Sequence, residues 1–139
     1  MVDEMIEHDV HKLGAALERL SDALSEPETS SRCTEDTAQA FVYAMSVCWK
    51  VVKELLRARG VEAHMPRDAV RYAHDKGWLE DPDLWIQMLK DEYELSGGSY
   101  MRGTAQRIYG RIKMYHPELI RAHAMMEARL LDAEEIALP

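Results

Sequence analysis

Four basic side chains lie close together in the last third of the chain, and they are of a type that binds phosphate. Between positions 95 and 117 the sequence contains no aspartate or glutamate. The charged residues in this segment are Arg102, Arg107, Arg111 and Lys113. Arg107 and Arg111 are one helical turn apart, and a guanidinium can hold a phosphate or a carboxylate through two parallel hydrogen bonds. The pattern predicts either a docking surface for phosphate, nucleotide or an acidic partner, or a solvated helix face that pairs with acidic residues elsewhere.

A glycine pair and a tyrosine precede this basic segment, in the stretch DEYELSGGSY at positions 91–100. Glycine adopts backbone conformations that other residues avoid, so Gly97 and Gly98 predict a sharp turn between two helices. Such a turn would leave the hydroxyl of Tyr100 accessible, close to Arg102. The alternative is that Tyr100 packs against its own loop.

Metal and covalent chemistry have weaker support. Glu4, Glu7, His8 and His11 are three or four positions apart, so a metal could bind there in principle. They lack the His-Glu-x-x-His order of zinc hydrolases, and no second helix offers a Glu-x-x-His partner of the di-iron kind. The chain has no glycine-rich phosphate loop, and its serines, cysteines and histidines are too scattered for a triad. We expect a solvated helix face at these four residues, with no metal and no cofactor.

The composition is that of one folded, acidic domain. The 139 residues are 47% hydrophobic and 30% charged, with a net charge of −8, which argues against disorder, general nucleic-acid binding and anionic membranes. No apolar run approaches the roughly 20 residues that span a bilayer, and the charged N-terminus does not fit a signal peptide. Cys33 and Cys48 are the two cysteines, and we expect no disulfide between them. A single cytoplasmic domain over residues 1–139 is predicted.

Apolar residues recur at steps of three and four along most of the chain, which predicts helices. No stretch alternates with a period of two for long enough to predict a strand. The predicted helices cover about 2–25, 34–59, 66–76 and 82–96, followed by a last helix that starts between positions 101 and 104. Thr34 is the expected N-cap and Gly60 the expected C-cap of the second helix, and Pro117 predicts a kink near positions 115–116. The predicted fold class is all-α: an antiparallel up-and-down four-helix bundle with one extra short helix.

Three consecutive segments resemble a known family in sequence and in order. They are AFVYAMSVCWKVVKELL at 40–56, MPRDAVRYAHDKGWLEDPDLWIQMLKD at 65–91 and SYMRGTAQRIYGRIKMYHPEL at 99–119. Together they resemble the nucleotidyltransferase substrate-binding subunits, small helical proteins of the HEPN superfamily that are often encoded beside a minimal nucleotidyltransferase. The resemblance covers about residues 5–130. Its most specific parts are CWK with Trp49 and Lys50, PRDAVR at 66–71, LWIQMLKD ending at Asp91, and Tyr100.

The resemblance implies a homodimer that partners a separate minimal nucleotidyltransferase chain, with nucleotide or phosphate at the interface. Some family members are ribonuclease toxins, which the partner restrains by adding AMP to a tyrosine. The residues of this chain that the resemblance and the charge pattern place on the partner-facing or nucleotide-facing surface are Asp91, Ser99, Tyr100, Arg102, Arg107 and Arg111.

The ribonuclease motif is incomplete. Toxins of the family carry an arginine shortly after the aspartate equivalent to Asp91, and a histidine two residues before the tyrosine. Arginine can hold a phosphate and histidine can move a proton near neutral pH. Here Glu92 or Tyr93 takes the place of the arginine, and Gly98 takes the place of the histidine. We therefore predict a protein without catalytic residues.

The second predicted helix also departs from the family. An arginine and two glutamates are frequent where this chain has Ala40, Val42 and Ser46. Their replacement makes this part of the helix more apolar and predicts a stronger homodimer interface. The residues expected to form that apolar contact are Phe41, Val42, Met45 and Met126.

The function predicted first is a non-catalytic substrate-binding or target subunit that pairs with a separate minimal nucleotidyltransferase. The enzymatic alternative is a divergent HEPN ribonuclease toxin of a toxin–antitoxin pair. The third interpretation is a helical dimeric scaffold without nucleotide chemistry.

Overall fold

The protein folds into five α-helices. The computed structural model describes residues 4–26, 31–96 and 102–137, with side chains over 4–26, 33–96 and 103–128. The helices are α1 (Glu4–Ser25), α2 (Ser31–Ala58), α3 (Pro66–Asp75), α4 (Pro82–Ser96) and α5 (Arg102–Ala137). Within these ranges the chain has no β-strand, so the predicted all-α class is confirmed. No helix in the described ranges combines the length and apolarity needed to span a bilayer.

One apolar core holds α1, α2 and α5 together, and α3 and α4 pack on α2. The stripe of α1 that faces the core is at most 4% exposed and consists of Ile6, Val10, Leu13, Ala16, Leu17 and Leu20. Apolar residues at steps of three and four thus form the seam of α1 that faces the core, and Leu24, four positions after Leu20, is only partly buried. Because each fully buried leucine or isoleucine contributes about 1.5–3 kcal/mol, this seam is a large share of what fixes α1 to the other helices.

Two glycines end helices in the same way. Gly60 follows α2 and Gly77 follows α3, and each has a φ of 80°, in the left-handed region. After α2, the N–H of Val61 donates to the carbonyl of Leu56 and the N–H of Gly60 donates to that of Arg57, both at 2.9 Å. This pair of hydrogen bonds is a Schellman motif, and it confirms the C-cap predicted at Gly60.

The start of α2 differs from the prediction. The sequence predicts Thr34 as the N-cap, whereas the helix begins at Ser31 and Thr34 lies inside its first turn. Cys33 is buried, and its Sγ lies 3.8 Å from the carbonyl oxygen of Ala23 near the end of α1. Packing on α1 therefore stabilises a first turn that local capping signals do not predict. The last helix begins at position 102, within the predicted interval, and continues through Pro117.

The two cysteines are free and buried. Burial raises the pKa of the Cys48 thiol to about 12, because a thiolate in the core would lose its hydration. Cys48 therefore serves as a small core residue.

Gly14 gives α5 room beside α1. A β-carbon on Gly14 would lie 3.1 Å from the Cε1 and Nε2 atoms of the His123 ring. The ring is held on both sides, with Nε2 3.0 Å from the carbonyl oxygen of Val10 and Nδ1 3.1 Å from Oε1 of Glu127. A carbonyl oxygen only accepts, so the hydrogen bond to Val10 requires a proton on Nε2. The ring cannot move away from Gly14 without weakening a hydrogen bond that joins α5 to α1.

We expect the replacement Gly14→Ala to lower the free energy of unfolding by about 1 kcal/mol, because crowding against His123 outweighs the gain in helix propensity. In a His123→Ala background the same replacement should raise the free energy of unfolding by about 0.5–1 kcal/mol. Urea unfolding of the four proteins measures both changes. If Gly14→Ala stabilised the protein that retains His123, the imidazole ring would have moved away from the new β-carbon at no cost.

Candidate functional site

A buried carboxylate joins α4 to α5. Asp91 in α4 is 3% exposed. Arg111 in α5 donates from Nε to Oδ2 of Asp91 at 2.8 Å and from Nη2 to Oδ1 at 2.7 Å. Tyr115, one turn further along α5, donates its hydroxyl to Oδ2 at 2.5 Å. Both carboxylate oxygens thus have partners, which is the condition for holding a charge inside a protein. We call these three residues the Asp91 cluster.

The Asp91 cluster also reaches α2. The ring of Tyr115 is fully buried and stacks on Phe41 of α2, with the ring centroids 5.7 Å apart. Burial raises the pKa of Tyr115 above its ordinary value, and the hydrogen bond to Asp91 raises it further. Hydrogen bonding to Asp91 likewise raises the pKa of Arg111. At neutral pH the cluster therefore combines a guanidinium and a neutral phenol around Asp91, and it ties three helices together.

The four predicted cations Arg102, Arg107, Arg111 and Lys113, which we call the basic stripe, carry less free charge than the sequence indicates. Nη2 of Arg107 forms an ion pair with Oε2 of Glu94, and both side chains are about half exposed. The ammonium of Lys113 lies over the ring of Tyr109, 5.1 Å from its centroid. Tyr109 is buried, as is Tyr115, so neither ring adds to the exposed surface beside these cations. For Arg107 and Arg111 the structure thus shows the second of the two sequence interpretations, pairing with carboxylates from another helix.

The side chains of three predicted partner-facing residues lie outside the described part of the structure. Ser99 and Tyr100 lie outside the described residues. Arg102 is the first residue of α5, and its side chain also lies outside them. Contact of these residues with a partner or a nucleotide stays a prediction.

The two family-motif residues in α2 have structural contacts. Nζ of Lys50 lies 3.3 Å from Oδ2 of Asp9 in α1, whose side chain is 3% exposed, so Lys50 supplies the opposite charge that a buried carboxylate requires. Trp49 meets Trp85 of α4 edge to face, with ring centroids 6.1 Å apart. These contacts attach α1 and α4 to α2.

Neither buried aspartate was predicted to be buried, although the sequence carries a signal for both. Asp9 lies three positions after Ile6 and four before Leu13, on the apolar seam of α1. Asp91 has the same spacing relative to Met88 and Leu95 on α4. A carboxylate at a position that the periodicity assigns to the core predicts a cationic or hydrogen-bonding partner, but the identity of the partner depends on which helices meet.

A mainly apolar groove of about 390 Å³ opens beside α2. Its lining residues are Ala38, Gln39, Val42, Tyr43, Ser46 and Leu95. The prediction of an apolar surface here is correct for Val42, but it is wrong for Phe41, Met45 and Met126. Those three side chains are at most 1% exposed because they fill the core.

Glu92 is one of the two residues, with Tyr93, that the resemblance places where toxins of the family have an arginine. Its carboxylate is partly buried, and burial raises its pKa. A carboxylate cannot hold a phosphate as an arginine does, and the absence of ribonuclease chemistry stays a prediction. His116 is partly buried too, and burial lowers its pKa. On α1, Glu4, Glu7, His8 and His11 are exposed, and the described part of the chain contains no group of residues that could hold a metal.

The helical fold is shared with a protein of known structure. The crystal structure of a protein from Thermus thermophilus matches with a TM-score of 0.68 and 26% sequence identity, over 85% of this chain and 98% of that one. Residues 8–128 match the sequence profile of a family described as "Nucleotidyltransferase substrate binding protein like", and the chain belongs to this family. The description indicates a role in substrate binding for a nucleotidyltransferase. Among curated proteins, none matches this chain at a significant level.

We expect Asp91→Asn to lower the free energy of unfolding by about 2 kcal/mol, because it removes the charge that Arg111 neutralises and weakens the contact with Tyr115. Glu94→Gln is the matched control, since it breaks the half-exposed pair with Arg107 and should cost less than about 1 kcal/mol. Urea unfolding measures both variants. Equal losses for the two would mean that burial adds nothing to the Asp91 cluster.

The raised pKa of Tyr115 predicts a loss of stability in alkali. An unfolded tyrosine ionises near pH 10, whereas the folded phenol stays neutral to higher pH, so stability is complete below about pH 10 and falls above it. Between pH 8 and pH 11 this group should account for about 1.4 kcal/mol of the loss. Tyr115→Phe should lower stability at pH 8 and remove this part of the pH dependence. Urea unfolding at the two pH values measures this change. An equal fall in the free energy of unfolding from pH 8 to pH 11 in the wild type and in Tyr115→Phe would contradict the assignment.

Proposed function

We propose that this protein is a non-catalytic substrate-binding or target subunit that pairs with a separate minimal nucleotidyltransferase chain. The observation that carries the proposal is the family match over residues 8–128, because the description of that family names substrate binding for a nucleotidyltransferase. The replacement of the toxin arginine by Glu92 or Tyr93, and of the toxin histidine by Gly98, supports a role without ribonuclease chemistry. On this proposal the chemistry belongs to the partner, and this chain supplies a surface.

The surface that we propose for the partner lies where α4 leads into α5. Ser99, Tyr100 and Arg102 lie in or beside the segment that joins these helices in sequence. The Asp91 cluster fixes the last turns of α4 against α5, which supports the proposal that the joining segment starts and ends on a rigid base. Arg107 lies five positions after Arg102, and its side chain is half exposed and paired with Glu94. At an interface its guanidinium can exchange that carboxylate for a phosphate.

The same proposal includes the architecture and assembly of the subunit. We propose one cytoplasmic domain of the HEPN superfamily: an antiparallel four-helix bundle in which α3 is the extra short helix. Two copies would form a homodimer through the groove beside α2, where Val42 and Ser46 replace charged residues frequent in the family. The apolar lining of the groove supports this choice, since buried interface cores are depleted in charged residues.

The test is a native pull-down of the tagged protein from its own cells, followed by intact-mass analysis of everything retained. We expect a nucleotidyltransferase chain in the eluate, with Tyr100 as the residue that carries any AMP-sized mass addition. The variant Tyr100→Phe with Arg102→Ala should lose at least about tenfold of the retained partner. Tyr93→Phe is the control for the loss of a tyrosine hydroxyl, because the side chain of Tyr93 is 74% exposed.

Three results would contradict the proposal. Equal retention of partner by the double variant and the control would remove Tyr100 and Arg102 from the interface. Recovery of the protein alone and unmodified would favour a scaffold. Robust cleavage of RNA by the pure protein, lost on replacement of His116 or His74, would mean that it is an enzyme.

A further inference from the structure

Positive charge in this acidic protein is concentrated around the end of α2 and along α3. From Lys50 to Lys76 the sequence has seven lysine and arginine residues against four carboxylates, although the whole chain has a net charge of −8. Two of the cations, Lys53 and Arg57, are one turn apart on the exposed face of α2. This region was not part of the basic stripe predicted on α5.

These two cations line a small cup. The chain turns back after α2, and its next residues close a concave space of about 200 Å³ against the helix. The lining residues are Lys53, Arg57, Val61, Glu62, Ala63 and His64. Val61 and Ala63 are partly buried against the core and form the apolar side of the cup. We call these six residues the Lys53–Arg57 cup.

Lys53 and Arg57 are free to bind an anion. Neither has a carboxylate within 4.0 Å among the described residues, in contrast to Lys50, Arg107 and Arg111, which all have one. The Schellman motif at Gly60 supplies backbone N–H groups to the carbonyls of Leu56 and Arg57, so these two carbonyls need no cationic side chain. Among the described residues, these two adjacent cations therefore have no carboxylate that neutralises them.

We infer that the Lys53–Arg57 cup binds the phosphate groups of a nucleotide. The guanidinium of Arg57 can hold two phosphate oxygens at once, Lys53 adds a compact positive charge, and an N–H of His64 can donate from the rim. Glu62 lies beside His64, with 4.0 Å between its Oε2 and Nε2 of the histidine. A carboxylate there disfavours bare phosphate but accepts a hydrogen bond from a hydroxyl, as a ribose offers. The combination favours a nucleotide over inorganic phosphate.

The acidity of the rest of the chain makes the inference specific. A net charge of −8 repels a polyphosphate at long range, so bulk electrostatics works against binding. Any nucleotide affinity must therefore come from a local cluster. The inference does not depend on pairing with a transferase, because residues of this chain alone, from the end of α2 and positions 61–64, form the cup.

The experiment is calorimetric titration of the pure protein with ATP at low salt. Lys53→Ala and Arg57→Ala should each raise the Kd by about tenfold or more. Lys90→Ala is the matched control, because Lys90 is a lysine of α4 outside the cup and the variant loses the same charge. It should change the Kd by less than about twofold, since a distant charge is screened. Circular dichroism checks that each variant folds.

Two further ligands test the assigned chemistry. Pyrophosphate should bind more weakly than ATP to the wild type, and adenosine should not bind. The titration uses the pure protein without a partner chain, which separates this inference from the proposed partner surface. The inference is overturned by the absence of ATP binding at millimolar concentration, by equal weakening in Lys90→Ala, or by tighter binding of short single-stranded RNA that Lys53→Ala abolishes.

Discussion

The Asp91 carboxylate is the interaction on which the joint between α4 and α5 depends. An ionised carboxylate in the core would destabilise the fold by several kcal/mol if it had no partners. Arg111 and Tyr115 satisfy it only when α5 lies at one rotation and one height relative to α4, because the three groups meet with distances of 2.5–2.8 Å. Apolar contacts alone tolerate sliding more readily. The buried charge thus sets the register of the two helices, and the stacking of Tyr115 on Phe41 passes that register on to α2.

The Lys50–Asp9 ion pair joins α1 to α2 at another point of the core, but Oδ2 of Asp9 accepts no hydrogen bond there, so this pair constrains the two helices less than the Asp91 cluster does. Its buried aspartate meets an exposed lysine, so the charge of the pair is partly solvated. The most specific parts of the family resemblance, CWK and LWIQMLKD, therefore contain residues that hold the helices together. Lys50 holds Asp9, Trp49 contacts Trp85, and Asp91 ends the second motif.

The helices could be predicted from the sequence because their causes are local or periodic. The seam of α1 follows from apolar residues at steps of three and four, and the end of α2 follows from a glycine that can adopt a left-handed conformation. The start of α2 could not be predicted, because it depends on contact of Cys33 with α1. The same limit applies to charge. The sequence shows four cations near α5, but only the packing of α4 against α5 reveals that Arg107 and Arg111 are neutralised, and only the fold of the chain after α2 forms the cup around Lys53 and Arg57.

The burial of Cys48 also determines how the protein can be labelled. Burial raises the pKa of the thiol to about 12, so at pH 7 the folded protein holds little thiolate, the form that reacts with maleimides. The side chain is fully buried, so reagents cannot reach it in the folded protein. Modification of Cys48 by a maleimide therefore reports that the core has opened. The rate of that modification measures how often the structure opens around the middle of α2, without any engineered probe.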